Sequence, residues 1–265
     1  MSVEIDTKTL LPAVMEIIRE AGKIVMEVYE TDFETYTKSD ASPVTEADLQ
    51  AEAYIIPRLK ALLPGAQVVG EEAASDGDIP TVGDKPFWLV DPVDGTKEFL
   101  KKNGEFTVNI ALIVGKKPIL GAVLAPARDT LYAGVVGEGA VRRVGSGAPE
   151  TIRVRDVPTE GVTIVASRRH GDPALIKKFL GTRKLHETIN AGSSLKFCLI
   201  ASGDADLYPR FGPTCEWDTG AGHAVLSAAG GLVTLEDGVT PFTYAKRADF
   251  LNPHFVAWGG LRQID

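Results

Sequence analysis

Phe87-Trp88-Leu89-Val90-Asp91-Pro92-Val93-Asp94-Gly95-Thr96 is the stretch on which the reading of this chain turns. Four consecutive apolar residues, of strand length, run into two aspartates that flank a proline. Pro92 stiffens the corner and holds the carboxylates of Asp91 and Asp94 close together. Unpaired, two such groups repel and raise each other's pKa, and a divalent cation resolves the conflict. Oxygen ligands alone select a hard ion, Mg²⁺ foremost. Gly95-Thr96 then offers backbone N–H groups at the start of a helical turn, where a phosphate oxygen fits. Carboxylates that hold ions beside an anion cradle are the parts of a metal-dependent phosphatase site.

Three further acidic places lie where a backbone is well held. Glu71 and Glu72 follow the short strand Gln67-Val68-Val69-Gly70, Asp218 follows Trp217 and opens a helix, and Asp48 lies in the first turn of the second helix. Taken singly, each has a plainer reading. Asp218 can be the N-cap of the helix that ends at Gly230-Gly231, Asp48 the capping-box partner of Thr45, and Glu71-Glu72 a solvated corner.

The rest of the sequence narrows the choices. The chain has 265 residues, 44% hydrophobic and 24% charged, close to a globular average with room for a large core. No run approaches the roughly 18 apolar residues of a membrane-spanning helix, and the acidic N-terminus does not read as a secretory signal, so a cytoplasmic location is expected. With 28 Lys and Arg against 36 Asp and Glu, the net charge of −8 argues against a nucleic-acid partner. Two cysteines and four scattered histidines give neither a disulfide framework nor a zinc-ligand spacing. Carboxylates are left as the metal ligands.

Periodicity predicts a helix carrying Leu10, Leu11, Val14, Ile17, Ile18, Ala21, Val25 and Val28 on one apolar face, and a second from Glu46 to about Leu63, kinked at Pro57. Strands are expected at Phe106 to Val114, Ile119 to Ala125 and Leu131 to Val136, giving the first half a meandering antiparallel sheet. After Val157-Pro158 strands and helices alternate. They are the strand Val162 to Ala166, helices Pro173 to Leu180 and Ser193 to Ala201, the strand Asp206 to Tyr208, a helix Thr219 to Ala229, and strands around Leu232 and Phe255. The expectation is an α+β half over residues 1–157 and an α/β half over 158–265, acting as one unit.

Gly70-Glu71-Glu72, Asp91-Pro92-Val93-Asp94-Gly95-Thr96 and Trp217-Asp218 together resemble the signatures of the lithium-sensitive, magnesium-dependent phosphatase superfamily of inositol monophosphatase and fructose-1,6-bisphosphatase. Three signatures in the proper order are far more specific than one. Lys97-Glu98-Phe99, Gly104 through Leu112, Gly192 through Cys198 and Leu207 through Pro213 are similar to the bacterial 3'(2'),5'-bisphosphate nucleotidase branch, of CysQ type. The likeness runs from Val14 to Phe255. Gly220 departs from it, since that branch usually has alanine there.

The resemblance implies a layered αβαβα sandwich and two or three Mg²⁺ ions. Its implied metal ligands are Glu71, Asp91, the Val93 carbonyl, Asp94 and Asp218, with Asp91 bridging and Glu72 helping to hold a further ion. Asp48 and Thr96 correspond to the pair that orients and deprotonates the attacking water, and the N–H groups of Gly95 and Thr96 to the holders of the scissile phosphate. Ser193 and Lys196, three apart and so on one helix face, would join His170 and Arg210 around the nucleoside and its second phosphate. The plainer readings there are an N-cap for Ser193, a solvated Lys196, and ordinary surface residues for Arg168 and Arg169.

The implied reaction is hydrolysis of 3'-phosphoadenosine 5'-phosphate to AMP and phosphate, in sulfate assimilation and nucleotide recycling, by a monomer or homodimer. Inositol-1-phosphate or fructose-1,6-bisphosphate hydrolysis is the sister reading. A non-catalytic nucleotide sensor is the reading from another class.

Overall fold

The computed structural model describes residues 5–37, 43–167 and 173–260. Helix α1 (Thr7–Tyr29) starts where the Asp6 carboxylate accepts the N–H groups of Lys8 and Thr9. Of the expected face it buries Leu10, Val14, Ile18, Ala21 and Val25, while Leu11, Ile17 and Val28 are half-buried at its margin. β1 (Thr35–Thr37) pairs antiparallel with β2 (Pro43–Thr45), which runs straight into α2 (Glu46–Leu62). Pro57 lies inside α2, and the helix continues through it to Leu62.

β3 (Gln67–Gly70) leads into a short helix, α3 (Glu71–Ser75), where only an acidic corner was expected. β4 (Phe87–Asp94) carries on beyond its apolar run and takes in both aspartates. A five-residue helix, α4 (Thr96–Leu100), separates it from its partner β5 (Thr107–Val114). Asp91 pairs with Asn109 but Asp94 with Thr107, so β4 holds one residue more than β5 across this step. Such a bulge bends a strand and re-aims its side chains. The corner read from Pro92 is therefore built inside the sheet.

β6 (Lys117–Ala125) and β7 (Thr130–Val135) continue the meander, and β8 (Gly139–Val144) and β9 (Glu150–Ile152) end it. The last two were not foreseen because Arg142 and Arg143 break the apolar alternation near a sheet edge. The seven strands lie in the order β3-β4-β5-β6-β7-β8-β9, with β3 parallel to β4 and the rest antiparallel.

The second sheet is built from β10 (Val162–Ala166), β11 (Leu185–Asn190), β12 (Leu207–Arg210), β13 (Leu232–Leu235) and β14 (Phe255–Trp258), in the order β11-β10-β12-β14-β13. Interleaved with them are α5 (Pro173–Leu180), α6 (Leu195–Ala201) and α7 (Glu216–Ala228). β11, mostly exposed on the sheet edge, carries no apolar stripe by which it could be read in advance.

Three apolar clusters glue the layers. Trp88, Val90, Ile110 and Ala122 face α1 and α2. On the opposite face of the same sheet Phe87, Leu89 and Ala111 join Phe197 of α6, Ala221 of α7, and Tyr208 and Phe255 of the second sheet. Ile164, Leu207 and Val256 pack under Leu180 of α5. The layers are thus αβαβα, as the resemblance implied. Strand alternation puts Asp91 on the face of Phe87 and Leu89, the one turned toward α7. Among the described residues no helix is long and apolar enough to cross a membrane.

Candidate active site

The α3 start, the β4 bulge and the first turn of α7 each deliver one carboxylate to a common place. One oxygen each from Glu71, Asp91 and Asp218 lie within 4.8 Å of one another. Asp91 is 1% exposed. Its Oδ1 accepts the Val93 N–H at 3.1 Å, while its buried Oδ2 finds no hydrogen-bond donor among the described residues. Burial, then the charges of Glu71, Asp94 and Asp218, push the Asp91 carboxyl well above the usual range. Burial, then Asp94 and Glu71, do the same to Asp218. Acceptor-only groups packed this closely fit a divalent cation, and the all-oxygen set fits a hard one.

Asp94 sits beside this group, held by its Oδ2. That oxygen accepts the Ser194 N–H at 2.6 Å and the Asn109 amide at 3.4 Å. Burial raises its pKa, opposed by Lys196 and by the Ser194 hydrogen bond. The Val93 carbonyl accepts the Thr96 hydroxyl at 3.3 Å. Glu72, 7% exposed, is outside the three-carboxylate group.

Asp48 and Asp218 are held alike. Each is the third residue of its helix, and its Oδ2 accepts the N–H of the residue before the helix, Thr45 and Cys215 respectively, both at 2.8 Å. Asp218 is therefore not an N-cap, because α7 begins at Glu216, earlier than expected, with Cys215 capping. Asp48 does make the capping box that the Thr45 spacing suggested. β2, which ends at Thr45, packs against α4, which begins at Thr96.

Gly95, at φ 91°, turns the chain from β4 into α4 in a conformation that L side chains avoid. A Cβ there would also meet the Glu105 carbonyl at 3.3 Å and Ser193 Oγ at 3.4 Å. The cleft that opens here is lined by Asp94, Gly95, Ser193, Lys196, Arg210 and Asp218. Lys196 is buried, not solvated, with Nζ donating to the Ser193 carbonyl and lying 5.3 Å from the centre of the Tyr208 ring. Burial brings its pKa down to about 8, against the charge of Asp94. Arg210 is also buried. Its Nη2 donates to the Pro213 carbonyl at 2.9 Å, and its Nε has no hydrogen-bond partner among the described residues.

One expectation changes here. Ser193 is not on the helix face of Lys196, because φ 42° takes it out of the helix and α6 starts at Leu195. Its hydroxyl donates to the Glu105 carbonyl at 2.7 Å instead. His170, Arg168 and Arg169 lie outside the described residues. Trp217 is buried in the core against Phe250.

Four supporting residues had no assigned role. Glu105 takes the Gly192 N–H at 3.1 Å and the Arg128 guanidinium at 3.2 Å. Asn109 and Ser194 hold Asp94, and Glu52 accepts two N–H groups of α3. Their partners are 15 to 100 residues away, so the sequence carries no sign of what each one holds, even where the residue falls inside a recognisable segment.

The whole chain has known likenesses. Residues 6–256 match the model of the inositol monophosphatase family. The chain is 46% identical over 248 residues to the 3'(2'),5'-bisphosphate nucleotidase CysQ of Escherichia coli K12, spanning 93% of this chain and 98% of that one. It is 40% identical over 253 residues to the CysQ of Buchnera aphidicola, spanning 94% of each. The crystal structure of CysQ from Bacteroides thetaiotaomicron superposes with a TM-score of 0.78 at 35% identity, covering 94% of this chain and 97% of that one. A phosphatase-type carboxylate site, a matching five-layer fold and these likenesses agree: the chain belongs to the inositol monophosphatase family.

Proposed function

We propose that this protein hydrolyses the 3'-phosphate of 3'-phosphoadenosine 5'-phosphate, giving AMP and inorganic phosphate, with Mg²⁺ as cofactor. One observation carries the reading. Three carboxylates from separate elements converge within 4.8 Å, next to a cleft that Asp94 and Asp218 share with the buried cations Lys196 and Arg210. The bisphosphate nucleotidases that the chain resembles at 40 to 46% identity support the substrate class.

Glu71, Asp91, Asp94, Asp218 and the Val93 carbonyl would hold two or three ions, with Glu72 assisting. Bound there, magnesium neutralises phosphoryl charge and acts as a Lewis acid toward water and the departing oxygen. Asp48 and Thr96 orient the attacking water, and Asp48 takes its proton. The N–H groups of Gly95 and Thr96 fix the scissile phosphate. Ser193, Lys196 and Arg210, with His170, take the nucleoside and the 5'-phosphate. The water oxygen forms the new P–O bond, the bond to the ribose 3'-oxygen breaks, and that oxygen takes its proton from a second water.

On this reading residues 1–157 supply every ion ligand but Asp218, and residues 158–265 supply the nucleotide side. The reaction belongs in the cytoplasm, where it clears a by-product of sulfate assimilation. Phosphorus NMR tests the regiochemistry. With Mg²⁺ the 3'-phosphate signal should give way to free phosphate while the 5'-phosphate signal persists, and chelator should stop the change. Loss of the 5'-phosphate first, or no change with Mg²⁺, would overturn the reading.

A further inference from the structure

Glu52 lies one turn beyond Asp48 on α2 and is 6% exposed. Its carboxylate faces α3. Oε2 accepts the Glu72 N–H at 2.9 Å and Oε1 accepts the Ala73 N–H at 2.8 Å. Those N–H groups belong to the first turn of α3, where no carbonyl of the helix itself can reach them. The residue before α3 is Gly70, which has no side chain with which to cap it. A helix of five residues is too short to hold its own geometry. Glu52 therefore caps α3 from another helix, and its negative charge suits that helix start.

The space for this contact is made by Gly70. A Cβ there would sit 2.5 Å from Glu52 Oε2 and 2.6 Å from its Cδ. Two residues with no role in the cleft are thus matched to one another. What they fix is the backbone of Glu71, whose carboxylate meets Asp91 and Asp218. Residues four apart share a helix face, so α2 presents Asp48 and Glu52 together.

We propose that Glu52 is a positioning residue for the ion site. It aims Glu71 through the α3 backbone and locks Glu71 to the helix that carries Asp48. The inference rests on the proposed metal-dependent reading. Glu52→Gln is a sharp probe, because an amide offers one acceptor where two N–H groups need two. Outer partners of metal ligands typically govern affinity by about 10- to 100-fold.

The test is Mn²⁺ binding by calorimetry without substrate, together with the Mg²⁺ dependence of turnover, for the wild type, Glu52→Gln and Gly70→Ala. Both variants should bind Mn²⁺ about 10- to 100-fold more weakly. Saturating Mg²⁺ should restore most of kcat in Glu52→Gln, with KM for the nucleotide within about twofold. Folded variants with wild-type Mn²⁺ affinity, even with a lower Tm, would overturn the proposal. So would failure of both to fold at any ion concentration, which would make Glu52 a folding residue. A wild type that binds no Mn²⁺ would overturn the metal-dependent reading itself, and this inference with it.

Discussion

The backbone N–H of Ser194 donates to Asp94 Oδ2 at 2.6 Å, across 100 residues of sequence. Through it the loop before α6 is tied to the β4 bulge, and the Ser194 hydroxyl reaches on to the Asp218 carbonyl at 2.7 Å. The cleft wall and the carboxylates are therefore set in one frame. Asp94→Asn keeps the shape of that joint and removes the charge. Phosphate release should fall about a thousandfold or more while the fold persists. Release at the wild-type rate would dismiss Asp94 as an ion ligand.

Asp91→Asn should separate function from stability. The buried carboxyl is disfavoured by burial and by three neighbouring acids, so neutralising it relieves the apoprotein. In chelator the variant should melt at or above the wild-type temperature, yet be inactive with Mg²⁺. A melting temperature clearly below wild type in chelator would contradict the repulsion assigned to the cluster.

Adding Mg²⁺ to chelated wild-type protein should raise its Tm. At about a hundred times Kd the linkage is worth about 2.7 kcal/mol, or about 5–10 °C for a chain of this size. Asp218→Asn should lose most of the shift. An equal shift in wild type and variant, followed by differential scanning fluorimetry, would place the ion elsewhere.

Lys196→Met should raise KM for the nucleotide about 10- to 100-fold, the loss of one charge-assisted hydrogen bond, with half-saturating Mg²⁺ within about twofold. Because burial sets the lysine near pKa 8, its charge is present below that value and lost above it. Wild-type KM should accordingly rise above about pH 8. A KM that is flat across that pH range, or unchanged in the variant, would remove Lys196 from the substrate pocket.

His223 gives an acid limit to stability. Its ring is buried beside Tyr244 OH at 3.0 Å, and burial, with Lys246 nearby, lowers its pKa to about 3. The unfolded chain takes up a proton near pH 6.5 and the folded protein does not. The stability is thus complete above that pH and drains as the pH falls toward 3, by about 2 kcal/mol at pH 5. His223→Gln should flatten this slope in denaturant titrations between about pH 7 and about pH 5. An unchanged slope would assign it to other groups.

Legibility in the sequence followed the range of the forces involved. The α1 face and the apolar half of β4 were readable because burial imposes a local period. The carboxylates were readable because strand ends and helix starts hold them in short motifs. β8 and β11 were not, since β8, next to the last strand of its sheet, and β11, at the edge of its own, carry polar and charged residues that blur alternation. The left-handed turn at Ser193 was missed because its cause is remote, the bonds to Glu105 and Asp94. Glu52 carries no mark in the sequence for the same reason, since its partners Glu72 and Ala73 lie 20 and 21 residues away.

The most direct measurement is kcat/KM for phosphate release from 3'-phosphoadenosine 5'-phosphate and from inositol-1-phosphate, side by side, with Mg²⁺ and with excess chelator. The carboxylate cluster and the Lys196–Arg210 cleft together require turnover that depends on Mg²⁺ and favours the nucleotide. Turnover that survives chelation would contradict the cluster, and a preference for the inositol ester would contradict the cleft.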